Sequence, residues 1–214
     1  MRADVAIVGG GPGGATLGMY LAQEGIQSVI IEKETFPRYH IGESMTGEAG
    51  GLLRSFGLEP EMLRRKYPIK HGVMVYGPTG KTKWYVPVMR RNEENELEPV
   101  YTWQVRRSTF DKMLLEEAVA RGATLVHGQA LTPLFNNNGA ISGVQVKMAD
   151  GGTQEIKAEV LVDASGLAQW LSHLGVASKR VIGKYDKQVA IFSQIAGACR
   201  DGGQTPGDTG DVLV

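Results

Sequence analysis

The stretch Gly9-Gly10-Gly11-Pro12-Gly13-Gly14 separates two short apolar runs, "VAIV" at positions 5–8 and "SVIIE" at 28–32. So many glycines end a strand sharply, and a helical pattern follows them. Gly14, Gly18 and Ala22 recur at the spacing of one helix face, while Leu17 and Leu21 pair on a neighbouring face. A stripe of small residues lets a helix lie close to a sheet. Gly25 supplies the stop, and the second run reads as a buried strand parallel to the first. Gly9, Gly11 and Gly14 thus form G-x-G-x-x-G at a strand-to-helix turn, with Glu32 closing the next strand. This is the dinucleotide fingerprint in the context it requires. Gly9 permits the tight turn, Gly11 lets backbone approach a pyrophosphate, and the N–H groups at the helix start attract its charge. Glu32 would accept hydrogen bonds from the adenosine ribose. NAD and FAD share the ADP moiety, so the fingerprint alone leaves both open.

Composition removes other classes. A chain of 214 residues with 42% hydrophobic content can bury one domain, or a domain and part of another. Its 23 basic residues balance 23 acidic ones, so no global field favours nucleic acid or an anionic membrane. The lone Cys199 excludes an intramolecular disulfide and a cysteine-based structural zinc site, and fits a reducing, cytoplasmic setting. The N-terminus carries Asp4 and only a short apolar run, unlike a signal peptide or a membrane span. His40, His71, His127 and His173 show no metal-ligand spacing.

Beyond the fingerprint, "FPRYHIGESM" (36–45) reads as the loop leaving the second strand, extended by Pro37 and bent at Gly42. A helix is expected from Ser44 or Thr46, burying Leu52, Leu53 and Phe56 before Gly57, with a short polar helix over 59–66. From Lys70 to Met89 the period becomes two, predicting a hairpin around "GPTGK" and the start of an antiparallel sheet. The charged segment 90–99 reads as an exposed loop. Ser108 and Asp111 suggest a capping box for a helix that buries Phe110, Leu114 and Ala118 and stops at Gly122. A short strand at 124–128, a three-stranded meander over 132–157 around "NNNG" and "DGG", and a separate buried strand "EVLVDASG" complete the nucleotide sheet. A further strand is expected at 188–198, and the Gly/Asp-rich tail reads as a loop entering another.

Three stretches, "AIVGGGPGGATLGMYLAQEGIQSVIIEK", "FPRYHIGESM" and "VRRSTFDKMLLEEAVARGA" followed by "VDASG", together resemble the flavin-dependent halogenases. That tryptophan-halogenase-like family lies within the superfamily of FAD-dependent monooxygenases and geranylgeranyl reductases, and F-P-R-x-x-x-G-E-S is the most specific of the shared patterns. The resemblance implies an α/β fold: a Rossmann-like FAD-binding domain of the glutathione-reductase type, an inserted antiparallel substrate domain, and a chain incomplete at its C-terminus. The corresponding boundaries are 1–69 and 104–179 for the FAD-binding domain with its meander, and 70–103 and 180–214 for the substrate sheet. It implies FAD rather than NAD. Cofactor contacts then fall on Gly9, Gly11, Pro12, Gly13, Gly14 and Ala15 at the turn, on Glu32 and Lys33, on Arg38 and Ser44, and on Arg107, Ala130 and Asp163.

The resemblance also implies a catalytic lysine. In such enzymes reduced FAD, oxygen and a halide ion yield hypohalous acid, and "IKHG" places Lys70 where the family's lysine-x-glycine site lies. An ammonium can donate a hydrogen bond to hypohalous oxygen, or as a free amine form a haloamine. The implied substrate is a small electron-rich aromatic (a phenol, pyrrole or indole), free or tethered to a carrier protein. A separate flavin reductase would supply the reduced cofactor, because one dinucleotide fingerprint is present. Trp84, Trp103 and Trp170 stand singly, without the family's W-x-W-x-I-P motif. Two alternatives therefore stay open: a hydroxylating monooxygenase or geranylgeranyl-reductase-like oxidoreductase, and a truncated, non-catalytic FAD-binding module.

Overall fold

The computed structural model describes residues 1–178, 181, 183, 191–193 and 212–213. They form two compact units. The first holds Met1–Tyr39 and Ser108–Lys187, and the second His40–Arg107 and Gln188–Val214.

The first unit opens with strand β1 (Arg2–Val8), helix α1 (Pro12–Gln23) and strand β2 (Ser28–Glu32). β1 and β2 are parallel, in register from Val5 opposite Ser28 to Val8 opposite Ile31. The helix buries Gly14, Ala15, Gly18 and Met19. Its glycines earn their place by contact: a Cβ on Gly14 would sit 1.9 Å from the Gly9 carbonyl oxygen, and one on Gly18 would meet Ile30 Cδ1 at 2.9 Å.

The second unit follows with α2 (Gly47–Ser55), α3 (Glu59–Arg64), β3 (Ile69–Lys70), β4 (Gly72–Tyr76), β5 (Lys83–Pro87), β6 (Met89–Arg91), β7 (Leu97–Pro99) and β8 (Thr102–Trp103). Thr46, not Ser44, starts α2: its side chain accepts from the Ala49 N–H, and Leu53 and Phe56 are buried as the pattern demands. β4 and β5 make the expected hairpin. The segment 90–99, read from its charge as a loop, is instead mostly the β6–β7 hairpin. One pair of its charges meets across the strands, Arg90 Nε lying 2.7 Å from Glu98 Oε1, while residues 93–97 stay exposed as expected.

The chain returns to the first unit through α4 (Arg107–Ala120), β9 (Thr124–Phe135), β10 (Ile141–Met148), β11 (Thr153–Asp163) and the short helix α5 (Trp170–His173). Two expectations need correcting here. Ser108 lies inside the first turn of α4 rather than before it, and Asp111 is fully buried and paired with Arg38. The strands expected at 124–128 and 159–163 are not separate elements. β9 and β11 run straight through, and the end of β11 is far from fully buried, with Val160 52% exposed.

That continuity explains the architecture. β9 pairs in parallel with β2 through residues 124–127 and antiparallel with β10 through 128–135. β11 pairs antiparallel with β10 through 153–157 and in parallel with β1 through 157–163. A parallel layer and a meander thus share two long strands and close into the ring β1-β11-β10-β9-β2. Between the layers lie Ala6, Val8, Val29, Ile31, Val126, Val144, Val146 and Ile156. Ile7 and Ile30, one residue out of phase, are the side chains that meet Gly14 and Gly18 of α1.

The final strand β12 (Val212–Leu213) pairs in parallel with β4. The strand expected over 188–198 and most of the tail lie outside the described residues. Among the described residues, no helix is long and apolar enough to cross a membrane, and no cluster of three or more His, Cys, Asp or Glu could hold a metal ion.

Candidate functional site

In the first unit, the fingerprint forms a cradle. Gly9 takes φ +108°, and a Cβ there would lie 2.5 Å from the Ala164 carbonyl oxygen, so the "DASG" turn packs directly on it. Gly11 precedes α1 in extended conformation and caps it with no side chain, leaving first-turn N–H groups without an intrahelical partner. Nothing lies within 4 Å of a Cβ built on Gly13. Pro12 opens the helix, where its missing N–H costs nothing. The buried Glu32 accepts from the Gly10 N–H through Oε2 at 2.7 Å and from the Glu34 N–H through Oε1 at 2.8 Å. Each oxygen keeps lone-pair capacity for a further donor such as a ribose hydroxyl. Backbone donors, a side-chain-free turn and an oriented acid fit the ADP portion of a dinucleotide.

The other expected cofactor residues divide. Arg38 lies against this cradle: a Cβ on Gly11 would be 3.4 Å from its NH2 nitrogen. Its guanidinium stacks over the Phe36 ring at 4.8 Å and reaches Asp111 at 3.5 Å. Its Nε is 3.1 Å from Glu34 but makes no hydrogen bond, the angle being poor. The Asp163 carboxylate is taken up locally, accepting from the N–H and hydroxyl of Ser165 and from the Leu171 N–H at 2.8 Å. It therefore shapes the turn that backs Gly9. Lys33 is exposed, and Ala130 sits half-buried on β9 against the core between the layers.

Lys70, Ser44 and Arg107 belong to the second unit. Arg107 donates to the Ile41 carbonyl oxygen at 2.7 Å and so holds the glycine bend of the 36–45 loop. Gly42 there has φ +97°. Lys70, only 7% exposed, donates to Ser44 Oγ at 2.9 Å and to the Met45 carbonyl oxygen at 3.0 Å. Two residues singled out separately in the sequence are thus directly bonded. Beside them on β8, Trp103 is fully buried, meets Tyr101 edge to face at 5.6 Å, and lies 5.4 Å from the Arg54 guanidinium. Tyr101 donates its hydroxyl to Glu59, and that bond, together with burial, holds its pKa above the usual phenol value.

Sequence reasoning missed the Arg38–Asp111 pair and the Tyr101–Trp103–Arg54 cluster. Asp111 did carry a signal: an acid flanked by Phe110 and Leu114 on the apolar face of a helix must find a cation there. Tyr101 and Trp103 lie two residues apart on an extended segment, but nothing in the sequence brings Arg54 of α2 to them.

A strand, a glycine turn and a small-faced helix, with an acid at the next strand end and a meander layered on the sheet, define a flavoprotein-type dinucleotide-binding domain. Residues 2–186 match the FAD binding domain family, and the chain belongs to it. The relatives it matches carry the names of flavin-dependent halogenases. It is 39% identical over 198 residues to a 1H-pyrrole-2-carbonyl-[peptidyl-carrier protein] brominase of Pseudoalteromonas luteoviolacea, covering 92% of this chain and 46% of that one. A flavin-dependent halogenase of Armillaria mellea is 32% identical over 176 residues, covering 80% of this chain and 33% of its own. The solved structure of a flavin-dependent brominase superposes with a TM-score of 0.74 at 37% identity, over 84% of this chain and 42% of that one. The chain thus spans less than half the length of these relatives.

Proposed function

We propose that the complete protein is a flavin-dependent halogenase acting on a small electron-rich aromatic, with a pyrrole carried on a peptidyl carrier protein as the leading substrate. The observation that carries this reading is the buried ammonium of Lys70, fixed at two points in the lysine-x-glycine context. Lysine is almost never fully buried unless its ammonium is held by partners. The carrier-bound pyrrole follows from the brominase relative, which is 39% identical to this chain.

Glu32 and the backbone of residues 9–14 would hold the ADP portion of FAD, with Arg38 beside them. Reduced FAD, delivered by a separate reductase, would supply the two electrons that bring O2 to the peroxide level, the oxidant that turns halide into hypohalous acid. Lys70 presents N–H donors to the resulting hypohalous acid and directs its electrophilic halogen to the aromatic ring. Ala130 and Lys33 as cofactor contacts, and Asp163 as the support of the turn, complete this reading.

The test combines the full-length gene product with FAD, a flavin reductase, NADH, oxygen and bromide or chloride. Substrates are a carrier-bound pyrrole and free pyrroles, phenols and indoles. Mass spectrometry should show a halide-dependent product with the halogen isotope pattern, abolished in Lys70→Ala. Oxygen insertion without halide would instead assign the protein to the hydroxylating monooxygenases.

A further inference from the structure

We infer that Ser44 is the positioning residue of Lys70, its hydroxyl setting the direction of the ammonium; the inference rests on the role proposed for that lysine. Strand β8 is edged on both sides. Gln104 N–H donates to the Pro68 carbonyl, next to β3, at 2.9 Å, while Val105 N–H donates to Glu43 at 2.8 Å and the Trp103 carbonyl accepts from Met45 N–H at 3.2 Å. Successive backbone groups of a strand point to opposite edges, so β3 and the segment 43–45 flank β8. The Lys70 side chain crosses from one flank to the other and ends on Ser44 Oγ and the Met45 carbonyl.

The two acceptors are not equivalent. The Met45 carbonyl is held by the backbone and survives any substitution, whereas the Ser44 hydroxyl depends on one side chain. That hydroxyl is not used to start α2, because Thr46 caps the helix. Both acceptors are neutral. A lysine stem has several rotatable bonds, and a buried ammonium with one acceptor fewer samples other directions. Misplacement of a reacting group by about 1 Å can cost about 100-fold in rate.

The decisive readout is product formed per hypohalous acid generated, not the total rate. In the full-length protein with FAD, reductase, oxygen and bromide, escaped hypobromous acid is captured by monochlorodimedone while brominated product is counted by mass spectrometry. Ser44→Ala should lower the ratio of product to trapped oxidant about tenfold or more. Ser44→Thr, which keeps the hydroxyl, should restore it, and Ser44→Cys, similar in size but a weak acceptor, should not. A wild-type ratio in Ser44→Ala overturns the inference, including the case in which that variant merely binds FAD more weakly and Ser44 is a cofactor contact. Lys70→Ala separates the two levels. If it keeps full, tightly coupled halogenation, the role of Lys70 itself fails; if it loses product while Ser44→Ala retains the wild-type ratio, only the role of Ser44 fails.

Discussion

Glu32 shows how much one side chain can organise. Its two oxygens bind the Gly10 and Glu34 N–H groups, so the carboxylate fixes the fingerprint turn before any ligand arrives. Glu32→Gln turns one acceptor into a donor facing a backbone donor, which costs about 1–3 kcal/mol where the group is buried. FAD affinity should fall about tenfold or more, measured by quenching of flavin fluorescence on titration; unchanged affinity would remove Glu32 from the cofactor site. At this scale the sequence was informative wherever a residue type has one use. Gly9, Gly14 and Glu32 were legible because a turn with φ +108°, a position where a Cβ would lie 1.9 Å from a carbonyl oxygen and an acid ending a buried strand each admit few alternatives. Asp163 was legible as important but not in its local task, since no pattern in a small-residue turn records that the carboxylate accepts from Ser165 and Leu171.

Among the elements, α3 makes the clearest case for pH dependence. Glu61 accepts from both Arg64 and Arg65, and the hydrogen bond from Arg64, opposed in part by desolvation, draws its pKa from 4.5 down to about 2. A carboxylate depressed in the folded state contributes stability above its unfolded value and loses it as the pH falls from about 4.5 to about 2. Solvent screening at this partly exposed site limits the gain to about 0.5 kcal/mol. Glu61→Gln should therefore unfold at slightly lower urea concentration at pH 7, and the difference should vanish near pH 2. Helix and hairpin existence could be read from period and punctuation, as α1, α2 and β4–β5 show. The β6–β7 hairpin could not, because a run of charges reads as coil until Arg90 and Glu98 are seen opposite each other.

At the scale of the whole molecule, the first unit is stabilised by the sharing of β9 and β11 between two layers. Ile156, fully buried between them, belongs to the part of β11 that pairs with β10 and packs against the parallel layer. Ile156→Ala should cost about 2–5 kcal/mol in urea denaturation. A loss below about 1 kcal/mol would mean that the layers do not depend on this contact. By itself the sequence determined the βαβ start, the acid at the end of β2 and the residues available for chemistry, because these follow from local spacing and from the few conformations open to glycine. Only the tertiary structure decided that the strands read as separate at 124–128 and 159–163 are halves of continuous ones, that Asp111 answers Arg38, and that Lys70 ends on Ser44. Each depends on residues far apart in the chain, the long strands through the partners they pair with, and no local pattern records which buried charge will meet which acceptor.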